Sequence, residues 1–566
     1  MQSWRRSLLI VIAALVATLG CSAPPATTRQ VTSPGSPAEP APATNTRATA
    51  AILGDPRTLS ATMNTNSTGG QPGVEEVQRL IHAGLAIRDD TGALRPQLGD
   101  MVPTLENGRW KLQPDGQMEM TWKIRDGARW HDGTTLTAGD LVFTTQVGQD
   151  RELPLFRSRA FNAIDSVEAT DASTVTVKWR EPYIWADQLF TAALAMPLPK
   201  HLLEPTFSND KARFVELPYW TEEFIGTGPY RVREWARGSH LILQANDGYL
   251  LGRPKINEIE VKFIPDANTM TANILAGAVE LTMGRGFSID SAAELREQWR
   301  DGNVAIALDN WVALYPQGIN PNPTLIANVE FRRALVHAMD RQEMVQSIQH
   351  GLVPVAHTIL SPEDALYKDV ERSIVKYDYD PRQAMQMISQ LGIPRAADGT
   401  LSLAPIEIRA AGTQGDSSNK GMFVVADFWK RLGLTVETTQ IPNQRRNDLE
   451  YRATHPGFTI QRQPGGEEGM QRYHSREAPV PENNFVGDNK GRYMNPELDA
   501  LLDRYFVTIA RGERVQLGSQ IVQHMTGQVT PLGLFYDANA VVIGKRLENI
   551  IAVQVGWNSH EWAVKS

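Results

Sequence analysis

From Ala51 to Ser566 the chain runs for 516 residues with no repeat at a fixed period. That length exceeds what one hydrophobic core can organise, so at least two lobes are expected and repeat architectures are not indicated. No disulfide can link those lobes, because Cys21 is the only cysteine in the chain and has no partner.

The position of Cys21 is informative. "MQSWRR" precedes an apolar run from Leu8 to Leu19 that is broken only by Thr18. The run is too short to cross a bilayer comfortably, but it fits the basic and apolar regions of a secretory signal, so residues 1–20 are expected to direct export. No other segment approaches about 20 apolar residues, and the body is expected to be soluble. "TLGC" resembles the bacterial lipobox, in which the cysteine receives lipid and becomes the mature N-terminus. A lipid anchor on Cys21 is therefore expected, and two or more acyl chains hold a protein stably at a membrane. "WRRSLLI" is only a loose twin-arginine pattern and leaves Sec and Tat export both open. Ser22 to Ala50 carries six prolines and no periodic apolar face, so residues 21–50 are expected to form a lipidated cysteine and flexible stalk.

The formal charge is 56 minus 64, or −8, and it becomes −10 once Arg5 and Arg6 leave with the signal. That balance argues against a nucleic-acid partner, which favours clustered basic surface.

The body alternates strand and helix signals. "MEMTWKI" (Met118 to Ile124) and "STVTVKW" (Ser173 to Trp179) have the period of half-buried strands. Thr137 with Asp140 predicts a capping box opening a helix. A longer helix is expected from an Asn328 cap through Phe331, Leu335 and Met339 to His350 and Gly351. Asp380 with Pro381, and Asn495 with Pro496, each announce a further helix by a cap followed by proline at the first helical position.

Searches for catalytic chemistry return little. There is no phosphate-cradling G-x-x-x-x-G-K-[ST], no H-E-x-x-H pair and no G-x-S-x-G elbow. "GTGPY" (Gly226 to Tyr230) reads as a tight turn into a strand, since Pro229 blocks a helix start. "DYDP" at Asp378 lacks the glycine and glutamate of a calcium loop and reads as a helix cap. His131 and Asp132 of "WHDG" are strand neighbours that point to opposite faces, which favours structural use. The histidines show no ligand spacing, so neither a metal nor a cofactor is expected.

Five ordered segments carry a more specific signal: "WKIRDGARWHDGTTLTAGDLVFT", "GTGPYRVREWARGSHLILQANDGYLLGRPKINEIEVKF", "VEFRRALVHAMDRQEMVQSIQHG", "YDYDPRQAMQMISQLGI" and "YMNPELDALLDRY". Together they resemble the bacterial extracellular solute-binding proteins of family 5, the dipeptide, oligopeptide, nickel and oligosaccharide receptors of ATP-driven importers. The resemblance implies an α/β, two-lobed, periplasmic-binding-protein-like fold of class II (cluster C), with an extra subdomain inserted in the first lobe. Carried onto this chain, lobe I comprises 51–70, 217–309 and 531–566, the inserted subdomain 71–216, and lobe II 310–530.

It also implies a non-enzymatic, extracytoplasmic, monomeric receptor, lipid-anchored to the cell membrane, that delivers a peptide or peptide-like solute to ABC permease subunits. An oligosaccharide is the alternative within the family; an exported hydrolase or an envelope scaffold are alternatives outside it. In peptide-binding members an acidic residue within a "gWxxDYxxP" segment holds the ligand's amino end. The corresponding stretch here, Phe458 to Ser475, lacks both the Trp and the Asp. Arg462, Gln463 and Glu467 are expected to choose the ligand in their place, with support from Trp311, Asn320 and Thr413. Arg462 would then favour an anionic or strongly accepting group, Gly465 and Gly466 would admit the solute close to the backbone, and Trp311 would offer an aromatic platform.

Overall fold

The computed structural model describes residues 46–64, 71–156, 159–286, 288–410 and 417–565. The expected signal, Cys21 and the stalk up to residue 45 lie outside the described residues. The stalk expectation runs too far, because Arg47–Leu53 is already a strand paired in parallel with Glu258–Ile264. Its inward positions include the small residues Ala48 and Ala50, which give a weak apolar signal in the sequence.

Among the described residues, ten strands form one sheet. Their spatial order is Val436–Gln440, Ile406–Ala410, Phe458–Pro464, Gly302–Pro316, Leu532–Gly544, Leu281–Thr282, Arg47–Leu53, Glu258–Ile264, His240–Ala245 and Tyr230–Ala236. Two long strands occupy the middle. Gly302–Pro316 runs antiparallel to Leu532–Gly544, from the pair Gly302 and Gly544 to the pair Leu314 and Leu532. Leu281 flanks this ribbon at one end, beside Ile543. Phe458–Pro464 flanks it at the other, opposite Asn310 to Pro316. The register slips between Leu308 and Asn310 and again between Val312 and Ala313, and such bulges bend and twist a strand locally.

A second, four-stranded antiparallel sheet orders Trp110–Leu112, Met118–Lys123, Thr174–Trp179 and Ile164–Ala169. Met118, Met120 and Trp122 point into its core as the alternation predicts. The helix Ala138–Gln149 covers this sheet and opens on the expected capping box, in which the Asp140 carboxylate accepts from the Thr137 N–H at 2.8 Å. Val77, Leu80 and Ile81 of the helix Val74–Ile81 pack in the same core as Tyr230, Leu241 and Val261 of the large sheet, and Phe143, Val147 and Phe214 join them there.

The helix expected from Asn328 to His350 is two helices, Val329–His337 and Arg341–Gln349. The Asp340 side chain accepts from the Glu343 N–H at 2.9 Å and caps the second. A side chain that satisfies a backbone donor in this way stabilises a new start even though the apolar stripe continues through Met339.

"GTGPY" is a packing motif. A Cβ on Gly226 would lie 2.0 Å from the Ile81 carbonyl oxygen, and one on Gly228 would lie 2.3 Å from the Ile81 carbonyl carbon. Two imidazoles hold the turn. His131 Nδ1 accepts from the Gly226 N–H at 3.2 Å while Nε2 meets the Gly228 carbonyl at 3.0 Å. His82 Nδ1 accepts from the Thr227 N–H at 3.3 Å while Nε2 meets the Pro197 carbonyl at 2.9 Å. Each ring thus accepts through one nitrogen and donates through the other, which requires the neutral form.

Burial lowers His82 to about 3 and His131 to about 4. Both folded values lie below the unfolded value near 6.5, so the unfolded chain takes up protons first as pH falls. The stability these rings contribute is complete above pH 6.5 and is lost from there down to about 4 for His131 and about 3 for His82, by roughly 1.4 kcal/mol per pH unit for each ring. Urea midpoints measured from pH 7 to pH 4.5 should fall accordingly, and a flat profile would mean that the rings protonate in place.

Candidate functional site

Side chains from both ends of the central ribbon converge where its register slips. Asp537 lies opposite Asn310, and its carboxyl is only 6% exposed. It accepts from Arg285 at 2.9 Å, from Arg462 at 3.3 Å, from the Ser417 hydroxyl at 3.0 Å and from the Gln349 amide at 3.2 Å. Arg285 follows the Leu281–Thr282 strand, whereas Arg462 belongs to Phe458–Pro464 and Ser417 opens the helix Ser417–Arg431. One carboxylate therefore joins elements that flank opposite ends of the ribbon. Nearby, Asp290 accepts from His350 at 2.7 Å and from Lys420 at 2.8 Å. Partial burial pushes the Asp290 carboxyl up, but the bonds from Lys420 and His350 outweigh it and hold the group below the usual carboxylate range.

A cavity of about 500 Å³ opens beside the ribbon, within the span of about 300–1,000 Å³ usual for small-molecule sites. Segments distant in sequence wall it: 88–94, 183–194, 361–369, 465–468 and 511–515, with Leu308, Val553 and Gln554. Its chemistry is acidic. Asp187 and Asp364 face it together with Glu363 and Glu467. Asp187 is only partly buried because it lines the cavity, yet protein surrounds that cavity closely enough for burial to push its carboxyl up to about 7, against the pull of Arg88 and Arg514. Burial likewise raises Asp364, whose carboxylate accepts from the Ser361 N–H at 2.5 Å, and Glu363, which accepts from the Leu308 N–H at 3.0 Å. Glu467 accepts from the Tyr505 hydroxyl at 2.5 Å, with Arg514 at 3.7 Å. Gly465 and Gly466 line the wall as well, and a Cβ on Gly466, at φ +84°, would come within 3.2 Å of the Asp364 carboxylate.

Of the six residues expected to contact ligand, Glu467 is in this wall. Trp311 is not: it is 1% exposed, paired with Gln463 and Tyr536 across the ribbon, and its ring closes over Gly533. A ring so enclosed packs a core and offers no platform. Gln463 is buried and its amide oxygen accepts from the Tyr315 hydroxyl at 3.1 Å. Arg462 points to the opposite face of its strand, where Asp537 already answers its charge; an anion-seeking cation was expected there. Asn320 is exposed beyond the ribbon's end and is absent from the cavity wall. Thr413 lies outside the described residues. The residues that sequence reasoning missed, Asp187 and Asp364 above all, sit in a short 3-10 turn, Ala186–Gln188, and in the turn "SPED". The Ser361 to Asp364 spacing was the one available sign of a capped turn.

A model of the family described as bacterial extracellular solute-binding proteins, family 5 (middle region), matches residues 100–472. The oligopeptide-binding protein AppA of Bacillus subtilis is 26% identical over 68% of this chain and 67% of its own length. Its structure, in complex with a nonapeptide, superposes at a TM-score of 0.63, with 21% identity, over 92% of this chain and 99% of that one. A protein of Brucella ovis named as an ABC transporter peptide-binding protein is 28% identical over 54% of each chain, so this chain spans about half the length of that relative. HbpA2 of Haemophilus parasuis has a TM-score of 0.73 at 18% identity, over 92% of this chain and all of that one.

The shared carboxylate gives a test of the ribbon network. Replacing Asp537 by Ala should lower the unfolding free energy by about 1–3 kcal/mol, because Arg285, Ser417 and Gln349 lose an acceptor that is hidden from water. Urea denaturation would show this as a lower midpoint at unchanged slope; an unchanged midpoint would mean that water replaces the carboxylate fully.

Proposed function

The chain belongs to family 5 of the bacterial extracellular solute-binding proteins, and on that premise we propose that it is the receptor of an ABC importer, enclosing a peptide or peptide-like solute between its lobes and passing it to the permease. The observation that carries this reading is the 500 Å³ cavity walled by segments from far apart in the sequence. AppA, solved with a nonapeptide, supports the peptide class. The chemistry is binding and release without covalent change: the ligand prefers the closed arrangement and shifts the population of a hinge motion toward it. We assign the hinge to the ribbon Gly302–Pro316 with Leu532–Gly544, the inserted subdomain to the residues before 217, and lobe II to 310–530. Glu467 is assigned to the ligand wall, and Gly465 and Gly466 to a close approach of solute and backbone. The receptor works as a monomer held outside the cytoplasm by lipid on Cys21.

Short synthetic peptides provide the test. Binding should make the particle more compact in small-angle scattering and should stabilise it by about 2.7 kcal/mol at a hundredfold excess over Kd. Tight binding with an unchanged scattering curve would count against closure. Replacing Glu467 by Gln should weaken binding by about 1.5–3 kcal/mol, the cost of a lost charged hydrogen bond, whereas a change below about 0.5 kcal/mol would remove it from the site.

Cys21→Ser tests the anchor separately. The substituted protein should fold normally but appear in the soluble extracytoplasmic fraction. Retention on the membrane, together with no acyl mass on the wild type, would end the lipoprotein reading.

A further inference from the structure

We infer that the cavity selects a basic solute, seating a side-chain cation against Asp187 with Asp364 and Glu467 alongside. This deepens the proposed function and rests on it. Three arginines reach the cavity. Arg511 is committed to Asp369 at 2.5 Å. Arg514 gives two bonds to the carbonyls of Thr508 and Ile509 and lies 3.7 Å from Glu467. Among the described residues the buried Nε of Arg88 has no partner, and Arg88 forms no ion pair with the carboxylates around it.

The carboxylates are less well compensated. Asp89 is satisfied within its own turn by Thr91, Ala93 and Arg95, so it contributes little to the cavity. Glu363 and Asp364 each accept a backbone N–H, which neutralises neither charge. Glu467 has a hydroxyl and a distant guanidinium. Among the described residues Asp187 has neither a hydrogen-bonded cation nor an ion pair, although it lies deep beside the cavity and faces Arg88, Arg514 and Glu467. The wall therefore holds more negative charge than its own cations answer. An ion lodged among them gains most when it is positive, because opposite charge nearby offsets the desolvation that each buried carboxylate suffers.

Among the described residues no three carboxylate, imidazole or thiol groups converge as a metal site does. The charge is spread along the wall instead, in a volume that accommodates an organic cation. Asp187 also makes the binding pH-dependent. With its carboxyl near 7, the empty receptor carries a proton there below that pH, and a bound lysine or arginine must displace it. Affinity for a basic solute should then rise by up to tenfold per pH unit up to about 7 and level off above it.

The experiment compares Ala-Lys-Ala, Ala-Ala-Ala, Ala-Glu-Ala and spermidine by calorimetry at pH 6 and pH 8. The wild type should bind the lysine peptide at least about tenfold more tightly than the alanine one at pH 8, the equivalent of one charged hydrogen bond. That ratio should shrink at pH 6. In Asp187→Asn it should fall about tenfold and lose its dependence on pH, while wild-type titrations at the two pH values keep the test valid if this variant does not fold. Equal affinities for the three peptides would overturn the charge selection and leave a peptide receptor standing. Binding of spermidine without any peptide would keep the selection and remove the peptide reading. A preference for the glutamate peptide, or a lysine preference that persists in Asp187→Asn, would overturn the inference; no binding by any probe to folded protein would overturn both.

Discussion

The pairing of Gly302–Pro316 with Leu532–Gly544 is the interaction on which the rest of the structure depends. Strands from one half of the sheet attach near Ile543, and strands from the other attach along Asn310 to Pro316. Between these attachments the ribbon is two strands wide. Such a ribbon resists stretching through its ladder of backbone hydrogen bonds, yet it twists more readily than a wide sheet. The bulge after Leu308 falls in this stretch, and the one after Val312 lies where Phe458–Pro464 is already paired. Stiffness along the strands with compliance in twist is what the proposed hinge requires.

The side chains around the ribbon determine what that change costs. Asp537 ties Arg285 to Arg462, and Asp290 ties itself to His350 and Lys420. These contacts link elements at opposite ends of the ribbon, so a change of lobe angle must stretch or exchange them. The Asp290 pairs are substantially exposed and water can replace them cheaply. The Asp537 carboxyl is not, and exchanging its partners is the larger cost. The arrangement also explains why Arg462 is a poor candidate for ligand selection: its charge has a partner before any solute arrives.

Local signals in the sequence were legible where a few neighbouring residues decide the outcome. Asp380 with Pro381 and Asn495 with Pro496 open helices as read, with both side chains bonded to backbone N–H groups. Thr137 with Asp140 forms its box. The break at Asp340 was missed because the apolar stripe through Phe331, Leu335 and Met339 masked a second cap, although Glu343 stands three residues beyond Asp340 as a capping pattern requires. The site was much less legible. Glu467 lines the cavity, but Trp311 and Gln463 face inward, and strand alternation alone does not say which face of a central strand is open. Asp187 and Asp364 carry no motif at all. They become a pair only through a fold that brings residues 183–194 and 361–369 to one cavity.

That pairing bears on how an empty receptor avoids closing. Asp187, Asp364 and Glu467 come to the cavity from three separate segments of the chain. With the lobes apart, water solvates each carboxylate and keeps their repulsion weak. Closing without a counter-charge would remove that water and bring like charges together; burial first, and Glu467 beside them, already make Asp187 and Asp364 hold protons more tightly than a free carboxyl does. Protonating Asp187 relieves part of the cost, and a cation in the cavity relieves more of it because it attracts every carboxylate at once. The acidic wall thus opposes closure when empty and favours it when filled, so the ligand's charge itself supplies the differential affinity that a hinge motion needs.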